Sequence, residues 1–431
     1  MSTNLIISND RQARETAALI EQINQALSSE QVLKSIVEGL PREVIDGVRR
    51  SLTSERSELI DTLTAYNDAK GGDFEKLKIR TANDLGDFLI AARIIKGWSQ
   101  KDLARNLGLR EQAIQRYESE RYRSISLGNY LRFAKILSIR LSADLLAPFA
   151  RNVFPSFEST ENEAQKVLKH ARVHGWLQNN DESDENSFNQ LIRYMTDHVE
   201  MHGTPSLLRT GLNVEDHSTD WLLLCWKAQI TRRAKEEIER SKPKYRPLDV
   251  SWLRDLVHLS RLDDGPRRAE GLLLEHGIIL IIEPQIPGMK VDGAAFLIDQ
   301  IPVIGMTLLR DSIDNFWFTL LHEVAHIILH YRTGLSAGFF DDTEATEVDE
   351  LEDEANKFAA NMLIPEEMWS RSPARISKTA GPIEYFAEQL GISPAIVFGR
   401  VRLERKNYSL FSDKIGRGKV RKQFLPLGGC A

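Results

Sequence analysis

The segment Thr319-Leu-Leu-His-Glu-Val-Ala-His-Ile-Ile-Leu-His330 decides how the C-terminal half of this 431-residue chain is interpreted. It contains neither Pro nor Gly, and most of its other residues are apolar, which predicts a buried helix from about Asn315 to His330. Residues four positions apart share one face of a helix, so His322 and His326 can reach the same cation. Glu323 lies beside them, where it can act on a metal-coordinated water rather than bind the metal.

A catalytic zinc ion also needs a third protein ligand and an open fourth position. A second helix is predicted from about Glu350 to Leu363, with several acidic residues in its first turns. Its apolar stripe consists of Ala355, Phe358, Ala359 and Met362. Glu354 adjoins this stripe and is predicted to point inward as the third ligand, whereas Glu352 and Asp353 are expected to face solvent.

Two points about the histidines stay open at this stage. His322 and His326 can instead be a structural pair, although a buried helix gains nothing by desolvating imidazoles and a carboxylate that nothing pairs. His330 lies one turn after His326 and is a candidate for an outer contact of the metal site or for stabilising an oxyanion. Its alternative role is that of an ordinary hydrogen-bonded residue near the end of the helix.

Three short segments before this helix have strand character: Ile278–Ile282, Ala294–Ile298 and Pro302–Thr307. Pro, Gly, Asp and Gln residues separate them, and this spacing predicts a small antiparallel sheet. Most of the remaining chain shows helical periodicity. The predicted fold class is therefore mainly α and multidomain, with an all-α bundle and a separate α+β domain.

The all-α bundle is predicted between residues 80 and 146, where four short helices follow one another. Ser99 and Asp102 are spaced like a capping box that opens the second helix, and Gly108 supplies the turn before the third. The third helix, about Arg110 to Ser119, presents polar side chains outward, namely Glu111, Gln112, Gln115 and Arg116. Gln and Arg side chains on a protruding helix are suited to the edges of adenine and guanine in the major groove.

The net charge of residues 80–146, unlike that of the whole chain, favours a nucleic-acid partner. Residues 80–146 contain twelve Lys and Arg against seven Asp and Glu, a net charge of +5, whereas the whole chain carries −6. Phosphate contact requires such a local basic face. The alternative interpretation, a helical bundle with a solvated charged face, is not excluded by periodicity and charge.

Composition describes a multidomain cytoplasmic protein. The chain is 42% hydrophobic and 27% charged, and its length suggests about two to four domains. Two distant cysteines fit a reducing compartment, the N-terminus does not resemble a signal peptide, and no apolar run reaches the ~20 residues that span a bilayer. The predicted segments are a helical N-terminal region (1–79, a possible dimerisation element), the DNA-binding block (80–146), a helical intermediate region (147–274), the candidate metallopeptidase (275–405) and a basic tail (406–431).

The stretch Trp98-Ser-Gln-Lys-Asp-Leu-Ala-Arg-Asn-Leu-Gly-Leu-Arg-Glu-Gln-Ala-Ile-Gln-Arg-Tyr-Glu118 resembles the Cro/CI (XRE) helix-turn-helix family. The resemblance implies that the start of the third helix meets bases and that Gln100 meets the phosphate backbone. The implied base-contacting residues are Glu111, Gln112, Gln115 and Arg116. Glu111 departs in character, because an acid repels phosphate.

Residues 275–405 resemble the ImmA/IrrE metallopeptidase family through the HExxH helix, Glu354-Ala-Asn-Lys-Phe-Ala-Ala-Asn-Met-Leu-Ile-Pro365, Asp292-Gly-Ala-Ala-Phe296 and Gly391–Arg400. This resemblance implies a gluzincin-like fold with Zn²⁺ on His322, His326 and Glu354, and Glu323 as general base. Family members typically cleave a DNA-binding repressor. The combination of both domains also resembles antitoxin-like regulators of toxin–antitoxin operons.

Two functions therefore follow. The first is a DNA-binding transcriptional regulator with a zinc endopeptidase domain, which cleaves a repressor or antitoxin-type protein or controls its own operon. The second is a non-catalytic repressor whose peptidase-like domain only senses a ligand or partner. In both, the expected partner is double-stranded operator DNA, and a palindromic operator implies a homodimer.

Overall fold

The computed structural model describes residues 7–28, 37–71, 85–119, 121–122, 125–139, 161–176, 191, 194–195, 198, 207–208, 217–298, 300–331 and 345–424. The chain divides into two compact units. The first comprises Met1–Val32 and Leu52–Arg151, and the second comprises Leu33–Ser51 and Asn152–Ala431. The predicted fold class, mainly α and multidomain with one small sheet, is confirmed.

Among the described residues of the first unit, six helices lie wholly or partly within it: α1 (Asp10–Ser28), α2 (Arg42–Lys70), α3 (Leu85–Ile95), α4 (Gln100–Leu107), α5 (Glu111–Ser119) and α6 (Leu127–Ile136). The beginning of α2, up to Ser51, belongs to the second unit. The remaining elements of the second unit are α7 (Glu161–Val173), β1 (Leu207–Leu208), α8 (His217–Ser241), α9 (Leu253–His258), α10 (Gly265–Glu275), β2 (Ile279–Ile282), β3 (Gly293–Ile298), β4 (Ile301–Met306), α11 (Ile313–His330), α12 (Ala345–Leu363), α13 (Glu366–Arg371), α14 (Ala380–Leu390), α15 (Pro394–Glu404) and α16 (Arg421–Phe424).

Local sequence signals explain the helix-turn-helix of the first unit. Ser99 and Asp102 form the predicted capping box at the start of α4, in which each side chain bonds the other residue's backbone N–H. Gly108 ends α4 in the left-handed conformation, with φ 66°, which suits a residue without Cβ. Leu103, Leu107 and Ile114 are fully or nearly fully buried between the helices. These predictions are confirmed.

A buried ion pair that periodicity did not predict connects α3 to α5. The guanidinium of Arg93 donates to both carboxylate oxygens of Glu118, at 2.5 and 2.8 Å, and both side chains are almost completely buried. Arg93 also donates to the backbone oxygens of Trp98 and Ser8, and Gln100 donates to Glu118. Such a pair is satisfied only while all its partners are in place.

The sheet of the second unit has the order β1-β3-β4-β2 and is mixed. β3 and β4 form an antiparallel hairpin, β1 pairs antiparallel with β3, and β2 runs parallel to β4. The sequence prediction of a purely antiparallel sheet is therefore wrong in this respect. The ten residues 283–292 between β2 and β3 are too many for a tight hairpin, so β4 rather than β3 becomes the neighbour of β2.

Helix α11 lies at the centre of the second unit. It packs against β3, β4, α12 and α15, and every residue from Thr319 to His330 is buried. Its nearly all-round apolar surface accounts for this position, because a helix without a polar face must be covered on all sides. The three histidines and Glu323 of the central motif are consequently removed from bulk water.

The predicted segment boundaries at residues 79, 146, 274 and 405 stay predictions, since the structure groups the chain into two units rather than five segments. Residues 140–160, which include the predicted end of the DNA-binding block, lie outside the described residues, as do the polar run 179–186 and the end of the basic tail, 425–431. Among the residues that are described, none of the helices combines the length and hydropathy that a membrane-spanning segment requires.

We predict that Glu118→Gln destabilises the first unit by about 3–5 kcal/mol, because it leaves the buried Arg93 guanidinium without a counter-charge. Amide hydrogen exchange of peptides from residues 85–119, followed by mass spectrometry, measures this local stability. Glu111→Gln makes the same chemical change on the exposed face of α5 and should shift stability by less than about 0.5 kcal/mol. Equal exchange rates in the two variants would contradict a stabilising role for the pair.

Candidate metal centre and DNA-binding helix

Three histidines form one stripe along α11. His322, His326 and His330 are spaced four residues apart, and each is at most 2% exposed. The ring centroids of His322 and His326 lie 4.7 Å apart, and those of His326 and His330 lie 5.4 Å apart. Because helical residues at i and i+4 lie above one another, the predicted convergence of His322 and His326 is observed.

The carboxylate beside the first two histidines is that of Glu352. Its Oε2 lies 3.2 Å from His322 Nε2, and its Oε1 lies 3.3 Å from His326 Nε2. The two Nε2 atoms are themselves 3.0 Å apart. Among the described residues, His322, His326 and Glu352 form the one group of three or more His, Cys, Asp or Glu residues with metal-binding spacing.

This arrangement corrects the expectation that Glu354 would complete the set and that Glu352 would face solvent. Glu354 lies instead against His330, whose Nε2 is 3.1 Å from its Oε2, and Arg50 Nη2 lies 3.5 Å from its other oxygen. Both carboxylates adjoin the buried stripe of α12, but at different edges. Glu352 precedes Ala355 and Ala359 by three and seven residues, and these fully buried small residues line α12 along the edge that carries Glu352.

The chemistry of the three atoms fits a cation. His322 Nδ1 lies 3.1 Å from Asn356 Oδ1, which can only accept a hydrogen bond, so the tautomer that satisfies this contact carries its proton on Nδ1 and leaves a lone pair on Nε2. His326 Nδ1 is likewise engaged on the side away from Glu352. In this tautomer of both rings, two nitrogen lone pairs and a carboxylate face one another, and a cation would relieve their mutual repulsion.

The protonation states suit metal binding at neutral pH. Burial tends to raise the pKa of Glu352, but in the alternative tautomer, with the proton on Nε2, both imidazoles donate to its carboxylate, and these hydrogen bonds outweigh burial and lower the pKa below its usual range. Burial is also the largest cause that lowers the pKa of His326. An ionised carboxylate and a neutral imidazole are the forms that bind divalent cations.

Glu323 is fully buried on the face of α11 that turns toward β3. A Cβ atom added to Gly293, the first residue of β3, would lie 2.7 Å from Glu323 Oε1 and 3.0 Å from Thr319 Cγ2. The absence of a side chain at Gly293 therefore makes room for the Glu323 carboxylate. Thr307 Oγ1 donates to the backbone oxygens of Val291 and Asp292, which holds the strand start in place.

On α5 of the first unit, the predicted base-contacting side chains Glu111, Gln112, Gln115 and Arg116 are all exposed. Gln100 is only half-exposed, and its amide donates to Glu118 at 2.8 Å. Its predicted contact with phosphate, like the base contacts, stays a prediction. Further exposed basic residues of this unit are Lys96, Lys101, Arg105, Arg110, Arg132 and Lys135.

Fold and site together define a protein that combines a helix-turn-helix unit with a metallopeptidase-like domain. Comparison with protein families agrees: the IrrE N-terminal-like domain matches residues 274–401, and a helix-turn-helix domain matches residues 89–143. The chain therefore contains an IrrE-like peptidase domain and a DNA-binding domain, which makes it a DNA-binding regulator with a peptidase-like domain. No significant match was found among curated proteins or solved structures.

The roles of Glu352 and Glu354 on α12 can be distinguished by mutation. We predict that Glu352→Gln abolishes stoichiometric binding of zinc, because an amide supplies no charge to the site, whereas Glu354→Gln retains one zinc per chain at saturating metal. Atomic absorption of dialysed protein measures the metal content. Retention of zinc by Glu352→Gln together with its loss from Glu354→Gln would restore the assignment expected from the sequence.

Proposed function

We propose that this protein is a transcriptional regulator whose IrrE-like domain is a zinc-dependent endopeptidase. The observation that carries the proposal is the convergence of His322 Nε2, His326 Nε2 and the Glu352 carboxylate within 3.0–3.3 Å of one another in a buried site. Two histidines and one acid are the ligand set of many catalytic zinc sites, which keep one further position open. A structural zinc site would need a fourth protein ligand.

When bound, Zn²⁺ supplies Lewis acidity that polarises a peptide carbonyl and makes a water molecule more acidic. Glu323 acts as the general base: its carboxylate takes a proton from the attacking water while the oxygen bonds to the carbonyl carbon. Glu323 then passes this proton to the leaving nitrogen as the C–N bond breaks. Burial of Glu323 strengthens these interactions, because the surrounding helix and strand exclude bulk water.

Helix α5 is proposed to read the major groove of an operator through Gln112, Gln115 and Arg116, with Glu111 at its start. The proposal is supported by their exposure and by the exposed basic residues around them. An operator with two-fold symmetry would be bound by a homodimer. By resemblance to the ImmA/IrrE family, the proposed substrate is a DNA-binding repressor or antitoxin-type protein, and the proposed location is the cytoplasm.

We expect Glu323→Gln to abolish proteolysis while zinc content and DNA affinity are unchanged, because the amide cannot accept the proton. Since the substrate is not identified, the measurement is a proteome-wide search for new protein N-termini in cells that express each variant. Wild type should produce one or a few new termini. Glu367→Gln, the same change on the exposed surface of α13, serves as the matched control and should behave like wild type.

Two outcomes count against this mechanism. New termini that appear equally with Glu323→Gln would remove Glu323 from the proton transfer. If the zinc-loaded wild type produces no new termini at all, the endopeptidase proposal is wrong, and the chain senses a ligand or partner without cleaving it.

DNA reading is tested by gel shift with the DNA upstream of the protein's own gene. Gln112→Ala and Arg116→Ala should each weaken binding by roughly 1–3 kcal/mol, the range for a lost bidentate base contact. Arg371→Ala removes one exposed charge from the second unit and is the matched control. An equal loss of affinity for unrelated DNA would indicate phosphate contact instead of base reading.

A further inference from the structure

The two proposed histidine ligands differ in what holds the far side of each ring. His322 Nδ1 meets the side-chain oxygen of Asn356 at 3.1 Å. His326 Nδ1 meets another imidazole, since it lies 3.2 Å from Nδ1 of His330. Histidine ligands of metals usually donate this second N–H to an acceptor, and the acceptor fixes both the tautomer and the orientation of the ring.

A hydrogen bond between two Nδ1 atoms requires that one of them carries the proton and the other does not. A neutral His326 that presents a lone pair at Nε2 carries its proton on Nδ1, so His330 Nδ1 must be the acceptor. His330 then carries its own proton on Nε2, which lies 3.1 Å from Glu354 Oε2. His326 thus donates to His330, and His330 donates to Glu354.

His330 is not a further ligand in this geometry. It faces Nδ1 of His326, whereas His322 and Glu352 face Nε2 on the opposite side of the same ring. His330 is only 2% exposed, and a buried imidazole without partners is costly. The contacts with His326 and Glu354 engage both of its ring nitrogens, which accounts for a buried histidine outside the ligand set.

We propose that His330 and Glu354 are positioning residues that hold His326 in the tautomer with its proton on Nδ1 and its lone pair directed at the metal. The inference rests on the metal site proposed above and adds its outer contacts. Helix α12 then has two roles: Glu352 is a ligand of the proposed metal site, and Glu354, two positions later, supports the site through His330.

The first test compares two substitutions of His330 in the full-length protein. His330→Leu removes the acceptor and should weaken Zn²⁺ binding by about 10–100-fold, the range found for lost outer contacts of metal sites. His330→Gln keeps an oxygen that can accept from His326 and an amide that can donate to Glu354, so most of the affinity should return. Competition with a chromophoric chelator measures the dissociation constants.

A merely structural role of His330 would not change the tautomer of His326. Two-bond ¹H–¹⁵N correlation spectra of the metal-free protein report which ring nitrogen carries the proton, and His326→Gln assigns the signal. Wild type and His330→Gln should show the Nδ1–H form, and His330→Leu should show a mixture. Should His330→Leu fail to fold, Glu354→Leu tests the same contact, because that side chain is 40% exposed.

Asp353→Asn is the matched control on α12. The exposed Asp353 side chain forms an ion pair with Lys357. The zinc affinity of this variant should stay within twofold of that of wild type. An unchanged affinity and tautomer in His330→Leu would overturn the positioning role, while zinc loss in Glu352→Gln would leave the metal site standing. If the wild type binds no zinc, the metal site and the positioning role are both wrong.

Discussion

Repulsion between three hydrogen-bond acceptors is the constraint on which the second unit depends. When both rings carry their proton on Nδ1, the Nε2 atoms of His322 and His326 and the carboxylate of Glu352 meet as three acceptors, and both histidines are fully buried. A bound cation, as proposed above, would relieve this repulsion. Asn356 and His330 occupy the opposite sides of the two rings, which leaves both lone pairs directed at the same point.

Packing around α11 removes the side chains of its central motif from bulk water. The sheet and the neighbouring helices cover α11 on all sides, so Glu323, which adjoins His322 in the sequence, is fully buried. Gly293 leaves the space that the Glu323 carboxylate fills. Exclusion from bulk water suits Glu323 to the role of general base that is proposed for it.

The first unit also contains buried charged groups, but there they pair with each other. Arg93 and Glu118 neutralise each other inside the helix-turn-helix, and Gln100 adds a further donor to the same carboxylate. Because the buried charges are satisfied internally, the polar face of α5 with Gln112 and Arg116 is available for an external partner. Breaking the buried pair is expected to destabilise the first unit, whereas the buried polar groups of the second unit belong to the candidate metal site.

The sequence by itself determined the elements: the capping box at Ser99, the left-handed turn at Gly108 and the helix that carries His322 and His326. These features depend on contacts within one helical turn. Only the tertiary structure decided that Glu352 rather than Glu354 faces His322 and His326, and that β2 pairs with β4. Helical periodicity places both glutamates at the edge of one stripe, and the position of the neighbouring helix selects between them.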